Sequence, residues 1–351
     1  MIRWTLALPL FAITAAQTGA EEIASDPQSP HQVPRAIETF QPPRGIERKP
    51  PRYPTQYQRT NREGWVELSF MVDPQGIPYD VAIIESSGDQ KFETATLEAA
   101  EGWRYEPARI AGNAIDAGVT LTITFQLQGD GPAGAAPAFT RSYQSLMKAI
   151  QNDDRKQADK HLERLRTLDR NLYEEAFFQL VLFNYYTRWG DDQQRYASLV
   201  RATFMDHDRA FLPEETMTGT LTSRFGLELK LNRFGSALKT GGELLERGLD
   251  NQTRQMVERT LGQINALADS DQPIAIDGVV NANNLFFHTL LRRSFQFEGV
   301  KGDIAELRLH CDKDYVGFVY DDLSYSVAES LGNCRLRVIG TPGTTFKLIE
   351  I

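Results

Sequence analysis

The sequence predicts an α+β multidomain protein: a β-β-α-β domain, then an α-helical hairpin array, then a C-terminal antiparallel β-sandwich. Three observations predict it. Apolar residues alternate around a single helical stretch between 63 and 127. They recur every three or four residues from 140 to 269, and alternate again beyond Pro273. Two Pro/Gly-rich stretches, 21–49 and 129–139, separate the parts. The 351 residues carry 38 basic and 47 acidic side chains, a formal net charge of −9. That balance argues against nucleic acid as a partner, since phosphate binding needs a basic surface.

The first element is an address. Arg3 precedes the apolar run Trp4 to Ala16, and small residues around Ala20 lead into Glu21-Glu22. This order predicts a signal peptide over 1–20, cleaved after Ala20, and a periplasmic mature chain. An uncleaved anchor in the inner membrane is the alternative. A thirteen-residue run reaches about 20 Å as a helix, against a hydrocarbon core of roughly 30 Å. Residues 21–49 hold Pro27, Pro30, Pro34, Pro42 and Pro43 and read as an extended linker.

In the segment 50–128, Val66, Leu68, Phe70 and Val72 alternate onto one face as a half-buried strand. Asp73-Pro74-Gln75-Gly76 has the residues of a type I turn. Tyr79 to Ile84 returns as a second strand. Phe92, Ala95, Ala99 and Trp103, with Ala100 beside them, mark one face of a helix that Pro107 stops. Val119, Leu121, Ile123, Phe125 and Leu127 then alternate with Thr120, Thr122, Thr124 and Gln126 as a third strand. One helix therefore covers one face of a three-stranded sheet.

This segment closely resembles the TonB C-terminal domain family. The matching residues are Pro51-x-Tyr53-Pro54, Gly64-x-Val66, Val72-Asp73-Pro74-Gln75-Gly76, Ser86-Ser87-Gly88, Trp103-Arg104-Tyr105-Glu106-Pro107-Ala108 and the Gly112…Val119-to-Leu127 ending, in the family's order and spacing. The resemblance implies a docking module: family members link an inner-membrane complex to outer-membrane receptors, whose extended segments pair with the last strand. The implied partner-binding residues are Val119, Thr120, Leu121, Thr122, Ile123, Thr124, Phe125 and Gln126. The physics agrees, because 119–127 has neither Pro nor charge and so lacks the usual protection of an edge strand. Pairing with a second copy, giving a homodimer, or cover by the helical region are the alternatives. Which parity of N–H points outward, that of Thr120, Thr122 and Thr124 or that of Leu121 and Ile123, stays open. The sequence departs from energy-transducing members in its short spacer, its cleavable-looking N-terminus and its acidic module.

From 140 to 270 the breaks at Asp153-Asp154, Asp169-Arg170-Asn171, Gly190-Asp191-Asp192, Pro213, Asn232 and Gly248 divide the pattern into about seven helices. Leu227 to Leu249 has the look of a tetratricopeptide hairpin, although no strict 34-residue period runs through the region; an irregular hairpin stack is the other reading. From 271 to 351, runs beginning at Ile274, Ser294, Ala305, Tyr315, Cys334 and Phe346 read as strands. Cys311 and Cys334, at strand ends in one domain, are expected to pair in an oxidising compartment.

No catalytic or cofactor signature is present. The five His lack zinc-ligand spacing, and neither a Gly-x-Ser-x-Gly elbow nor a phosphate-cradling loop occurs. Asp312/Asp314 and Asp321/Asp322 read as solvated turns, and no metal or cofactor is expected. The sequence thus points to a non-enzymatic periplasmic protein that docks protein partners, TonB-dependent outer-membrane receptors among them, and serves transport across the outer membrane. A periplasmic structural adaptor built on the helical array is the alternative.

Overall fold

Two short strands, β1 (Phe40–Gln41) and β2 (Arg44–Glu47), come first among the described residues, and they pair antiparallel with the later segments Ala108–Ile110 and Arg104–Glu106. The computed structural model describes residues 40–127, 134–203 and 211–351. The signal peptide over 1–20, the linker as far as residue 39 and the Gly/Pro stretch 128–133 lie outside the described residues. From Phe40 onward the linker expectation is corrected. Phe40 and Gln41 pair with Ile110 and Arg109, Arg44, Gly45 and Glu47 pair with Glu106, Tyr105 and Arg104, and the Pro42-Pro43 pair sits between the two pairing segments.

Helix α1 (Thr55–Thr60) ends at Asn61, which takes the left-handed conformation at φ 52°. Strands β3 (Gly64–Val72) and β4 (Pro78–Ser86) are joined by the turn expected at Asp73–Gly76. The Gly76 N–H donates to the Asp73 carbonyl at 2.9 Å, and Asp73 Oδ1 accepts from the N–H groups of Gln75 and Ile77. Gly76 has φ +81°, and a Cβ there would stand 1.9 Å from the Tyr105 carbonyl oxygen, so only glycine fits. Helix α2 (Gln90–Ala100) is capped by Asp89, whose carboxylate accepts from the Lys91 N–H.

Trp103 lies beyond this helix, a correction to its placement on the helical face. Gly102 and Trp103 turn back by donating to the carbonyls of Ala99 and Ala100, which ends the helix before Pro107 is reached. The side chain is nevertheless 1% exposed. Strands β5 (Arg104–Glu106), β6 (Ala108–Ile110) and β7 (Asn113–Ile115) follow, then β8 (Ala117–Phe125). The main sheet has the order β4-β3-β8, all antiparallel. Leu68, Phe70, Val72, Ala100, Trp103 and Tyr105 form one core cluster, and Tyr57, Val66, Phe92 and Phe125 a second, with Phe92 and Phe125 stacked at 4.4 Å.

Seven helices occupy 137–268: α3 (Pro137–Gln151), α4 (Arg155–Arg166), α5 (Leu172–Trp189), α6 (Asp192–Thr203), α7 (Glu214–Lys230), α8 (Phe234–Leu245) and α9 (Asn251–Ala268). Pro137, expected inside a linker, is the first helical residue instead, where its missing N–H costs nothing. Asp154, Asn171 and Asp250 cap α4, α5 and α9, and Asn171 with Glu174 makes a reciprocal capping box. Two cores fill this region, one around Leu146, Leu162, Leu165 and Val181, the other around Leu221, Phe225, Leu244 and Val257.

The C-terminal part holds two four-stranded antiparallel sheets. The strands are β9 (Ile274–Val279), β10 (Leu285–Thr289), β11 (Ser294–Lys301), β12 (Ile304–Cys311), β13 (Tyr315–Val319), β14 (Tyr325–Ser326), β15 (Cys334–Gly340) and β16 (Thr345–Glu350). One sheet has the order β10-β15-β12-β13 and the other β14-β11-β16-β9. Both feed one core that includes Ile276, Phe286, Phe295, Leu307, Leu336 and Leu348. The strands at β10 and β14 were not expected. The first is short and carries His288 on its inner face, and the second has two residues, so neither shows a long alternation. Cys311 and Cys334 are directly opposed on β12 and β15 and form the expected disulfide.

Candidate functional site

Strand β8 is an edge strand: among the described residues its only ladder is with β3. The side of it that points away from β3 can be read from the other neighbour. The Trp65 carbonyl accepts from the Ser87 N–H at 3.0 Å, and the Trp65 N–H donates to Ser87 Oγ at 3.3 Å. Trp65 therefore turns its backbone polar groups toward β4, and Val66 turns its own toward β8, because they alternate along a strand. Val66 is paired with Ile123. The N–H and C=O groups of Leu121 and Ile123 thus face β3, and those of Thr120, Thr122 and Thr124 face outward. That settles the parity in favour of the threonines.

The side chains alternate in the other plane. Val119, Leu121 and Ile123 pack on the module core and Phe125 is buried within it. Thr120, Thr122 and Thr124 are exposed. From Leu121 to Gln126 the edge borders a groove of about 490 Å³. Its opposite wall is the extended segment Arg48 to Tyr53, and Trp103 lies in its floor. Val119 and Thr120 do not line this groove. At that end β8 approaches the C-terminal sheets: a Cβ on Gly118 would come 3.3 Å from the Cys311 carbonyl oxygen. Of the expected binding residues, six of eight are thus brought together along one trough.

The opposite wall was missed in the sequence, where residues up to 49 read as linker. The available signal was Pro50-Pro51, which fixes an extended backbone, followed by Tyr53. Three anchors hold this wall. Trp103 Nε1–H donates to the Lys49 carbonyl at 2.9 Å. The Tyr53 hydroxyl donates to the Arg62 carbonyl at 2.6 Å, and its ring packs edge-on against Phe92 and Phe125, 5.8 Å from each. Burial, with the charge of Glu63 behind it, pushes the Tyr53 phenol above its ordinary range, so it remains a donor. The charged groups lining the groove are Arg48 and Lys49. Lys49 Nζ lies 3.1 Å from Glu47.

The far end of the edge is tied to the helical part. Glu63 Oε1 accepts from the Leu127 N–H at 2.8 Å and Glu63 Oε2 from the Leu172 N–H at 3.1 Å, so one carboxylate joins the chain just past β8 to the start of α5. Beside it Arg62 bridges Asp89 at 2.7 Å and Asp169 at 3.1 Å. Tyr57 donates to Asp89, and burial together with that bond pushes its phenol up to about 12.

A second connection joins the module to the C-terminal part. Asp80 sits at a bulge in β4 with φ +51°. Its buried carboxylate meets Arg308, lies 2.9 Å from Arg337 Nη1, and lies 3.1 Å from His310 Nε2. Burial opposes its ionisation, but His310, Arg337 and Arg308 outweigh burial and hold the carboxyl below the usual carboxylate range. Burial pushes the His310 imidazole down, against the pull of Asp80.

A family model described as the Gram-negative bacterial TonB protein C-terminal matches residues 49–127. Protein TonB of Escherichia coli is 32% identical over 87 residues, which is 25% of this chain and 34% of that protein. Protein TonB of Klebsiella pneumoniae is 36% identical over 87 residues, with the same coverage. Protein tonB2 of Pseudomonas aeruginosa is 32% identical over 77 residues, 22% of this chain and 28% of that protein. The chain spans about a third of the length of these curated relatives. The solution structure of the Pseudomonas aeruginosa TonB C-terminal domain is similar at 25% identity, covering 25% of this chain and 90% of that one with a TM-score of 0.23. By the family match and by sequence identity, the segment 49–127 of this chain belongs to the TonB C-terminal domain family.

Proposed function

We propose that the chain is a non-enzymatic protein of the bacterial cell envelope that docks an extended segment of a protein partner onto β8, in the service of TonB-dependent transport across the outer membrane. The observation that carries this reading is the outward N–H and C=O set of Thr120, Thr122 and Thr124, facing a groove where the edge has no strand partner among the described residues. A partner strand in that trough completes the ladder and shields the edge. The partners are outer-membrane receptors of the TonB-dependent class. The compartment is the periplasm, reached with cleavage of 1–20; retention of that segment would hold the protein at the inner membrane instead.

On this reading 50–128 is the docking domain, 140–270 a helical hairpin array and 271–351 a β-sandwich, with the linkers ending before Phe40 and before Pro137. The Glu63 link between the docking strand and α5 also favours a second reading, in which the helical array is the main binding surface of a periplasmic adaptor and the TonB-like module docks it or pairs it with a second copy. Capture from solubilised outer membranes by the full chain separates the two. The wild type retrieves TonB-dependent receptors. Thr122→Pro removes an outward donor without touching the β3 ladder, so it folds and retrieves none. A folded Thr122→Pro chain that retrieves the same receptors, or a wild type that retrieves none, overturns the docking assignment.

A further inference from the structure

The main sheet of the module has a second edge. Strand β4 pairs only with β3 among the described residues. Ser69, like Trp65, turns its backbone polar groups toward β4, and it is paired with Ala82. With the Ala82 N–H and C=O facing β3, the two peptide groups that flank it turn the Val81 carbonyl and the Ile83 N–H away from the sheet. They border a cleft of about 400 Å³. One wall is a face of α2 on which Gln90, Thr94 and Leu97 recur at helical spacing, and Leu97 is 38% exposed. The other wall is formed by Leu285 and Ile339 of the β10-β15 pair, with Arg308 and Arg337 at its base. A cleft of this size with apolar walls and a few polar groups has the build of a ligand site.

Two features identify the occupant. First, Arg337 is 2% exposed, yet its Nε has no hydrogen-bond partner among the described residues. Arg308 is engaged in two bonds of 2.8 Å to Glu306. Arg308, Arg337 and His310 also converge on the single carboxylate of Asp80, and Arg337 Nη2 donates to the Asp80 carbonyl at 3.4 Å, so Nε is the donor left on Arg337 for one more anionic acceptor. Second, the ion pairs of Asp80 across to β12 and β15 close the cleft at that end. A strand laid along Ile83 and Val81 meets this barrier and must stop there. We infer that the cleft binds the extended C-terminal tail of a partner protein, added antiparallel to β4, with apolar side chains against Leu97 and Ile339 and its terminal carboxylate at Arg337.

The site lies on the opposite edge from β8 and does not depend on docking there. A suitable probe is an acetylated hexapeptide of alternating valine and threonine with a free C-terminal carboxylate, compared with its C-terminal amide, titrated into the full chain. The acid binds, the amide binds at least tenfold more weakly, and the amide proton of Ile83 gains protection from hydrogen exchange. Leu97→Asp, on an exposed helix face, and Ile83→Pro, at an outward N–H, each abolish binding while the thermal melt is retained; Thr122→Pro leaves it unchanged. No binding at millimolar peptide, equal affinity of acid and amide, or full affinity in both cleft variants overturns the proposal. So does loss of binding in Thr122→Pro with Ile83→Pro unaffected, since the peptide would then sit on β8.

Discussion

Asp80→Asn probes the junction between the docking module and the C-terminal sheets with little disturbance of the backbone. Asp80 stands at φ +51°, and asparagine tolerates that left-handed conformation as readily as aspartate. The substitution keeps shape and one acceptor and removes only the charge. Arg337, almost fully buried, then loses its one counterion, while Arg308 keeps Glu306 and is about a quarter exposed. Breaking a buried pair by removing one partner costs about 3–5 kcal/mol. The retained Arg308–Glu306 pair places this case near the lower end, at about 3 kcal/mol. At about 2.1 cal/mol/K per residue, each kcal/mol shifts Tm by about 1.4 °C in a chain of 351 residues, so Tm falls by about 4 °C. Calorimetry of wild type and variant at pH 7 measures it. A variant within about 0.5 kcal/mol of wild type would show that these ion pairs do not hold the two parts together.

The remaining expectations are brief. Acid weakens the same junction through two groups. The folded pKa of Asp80 is depressed, so its contribution is complete above about pH 4 and lost as pH falls through the folded value. The folded pKa of His310 is also depressed, so the unfolded chain binds a proton first and stability declines as pH drops below about 6.5; His310→Gln removes that part of the Tm change between pH 7 and 5.5. Trp103→Ala costs about 3–5 kcal/mol in urea unfolding and frees the Lys49 carbonyl, so partner binding at the groove weakens as well. Replacing both Cys311 and Cys334 by serine opens a loop spanning 23 positions and costs about 3 kcal/mol, seen as a lower urea midpoint with the wild-type β-sheet circular dichroism retained in buffer. Gly76→Ala forces the Tyr105 carbonyl to move and lowers Tm more than alanine at exposed Gly112, which shares a positive φ but has open space around it.

Local periodicity carries a strand or helix only where the element is long and one-sided. Strands β3 and β8 alternate over nine residues and α3 to α9 are bounded by Asp, Asn, Pro and Gly, so both kinds of element were legible; β3, expected to be half-buried, is covered on both faces, since Trp65, Ser69 and Met71 are buried as well. The segments β1, β2, β5, β6 and β7 run two to four residues, too short for any period, and their pairing is set by partners about 60 positions away or by a turn. Trp103 was correctly read as buried and wrongly placed on the helix, because hydrophobic spacing reports which face is covered and not where the helix stops. That β8 is an edge strand was legible from its freedom from charge and proline. Its outward parity was not, because parity is fixed by the Ser87–Trp65 bond on the far side of the neighbouring strand.

The two open edges of the β4-β3-β8 sheet are held by different means, and that difference bears on how the module can act. At β8 the groove wall is the chain's own extended segment, pinned by Trp103 and Tyr53 and continuous with the Pro-rich stretch before it. A pull from the N-terminal side would load the β1–β6 and β2–β5 pairings before the wall. At β4 the opposite wall belongs to the C-terminal sheets and is fixed through Asp80 to Arg308 and Arg337. The chain just past β8 is fixed again, through Glu63, to α5. The module is thus tied to the helical part through Glu63, Arg62 and Glu85 and to the C-terminal sheets through Asp80, while the chain before it pairs as β1 and β2 with β6 and β5. These connections fix the orientation of both sheet edges relative to the helices and the C-terminal sheets.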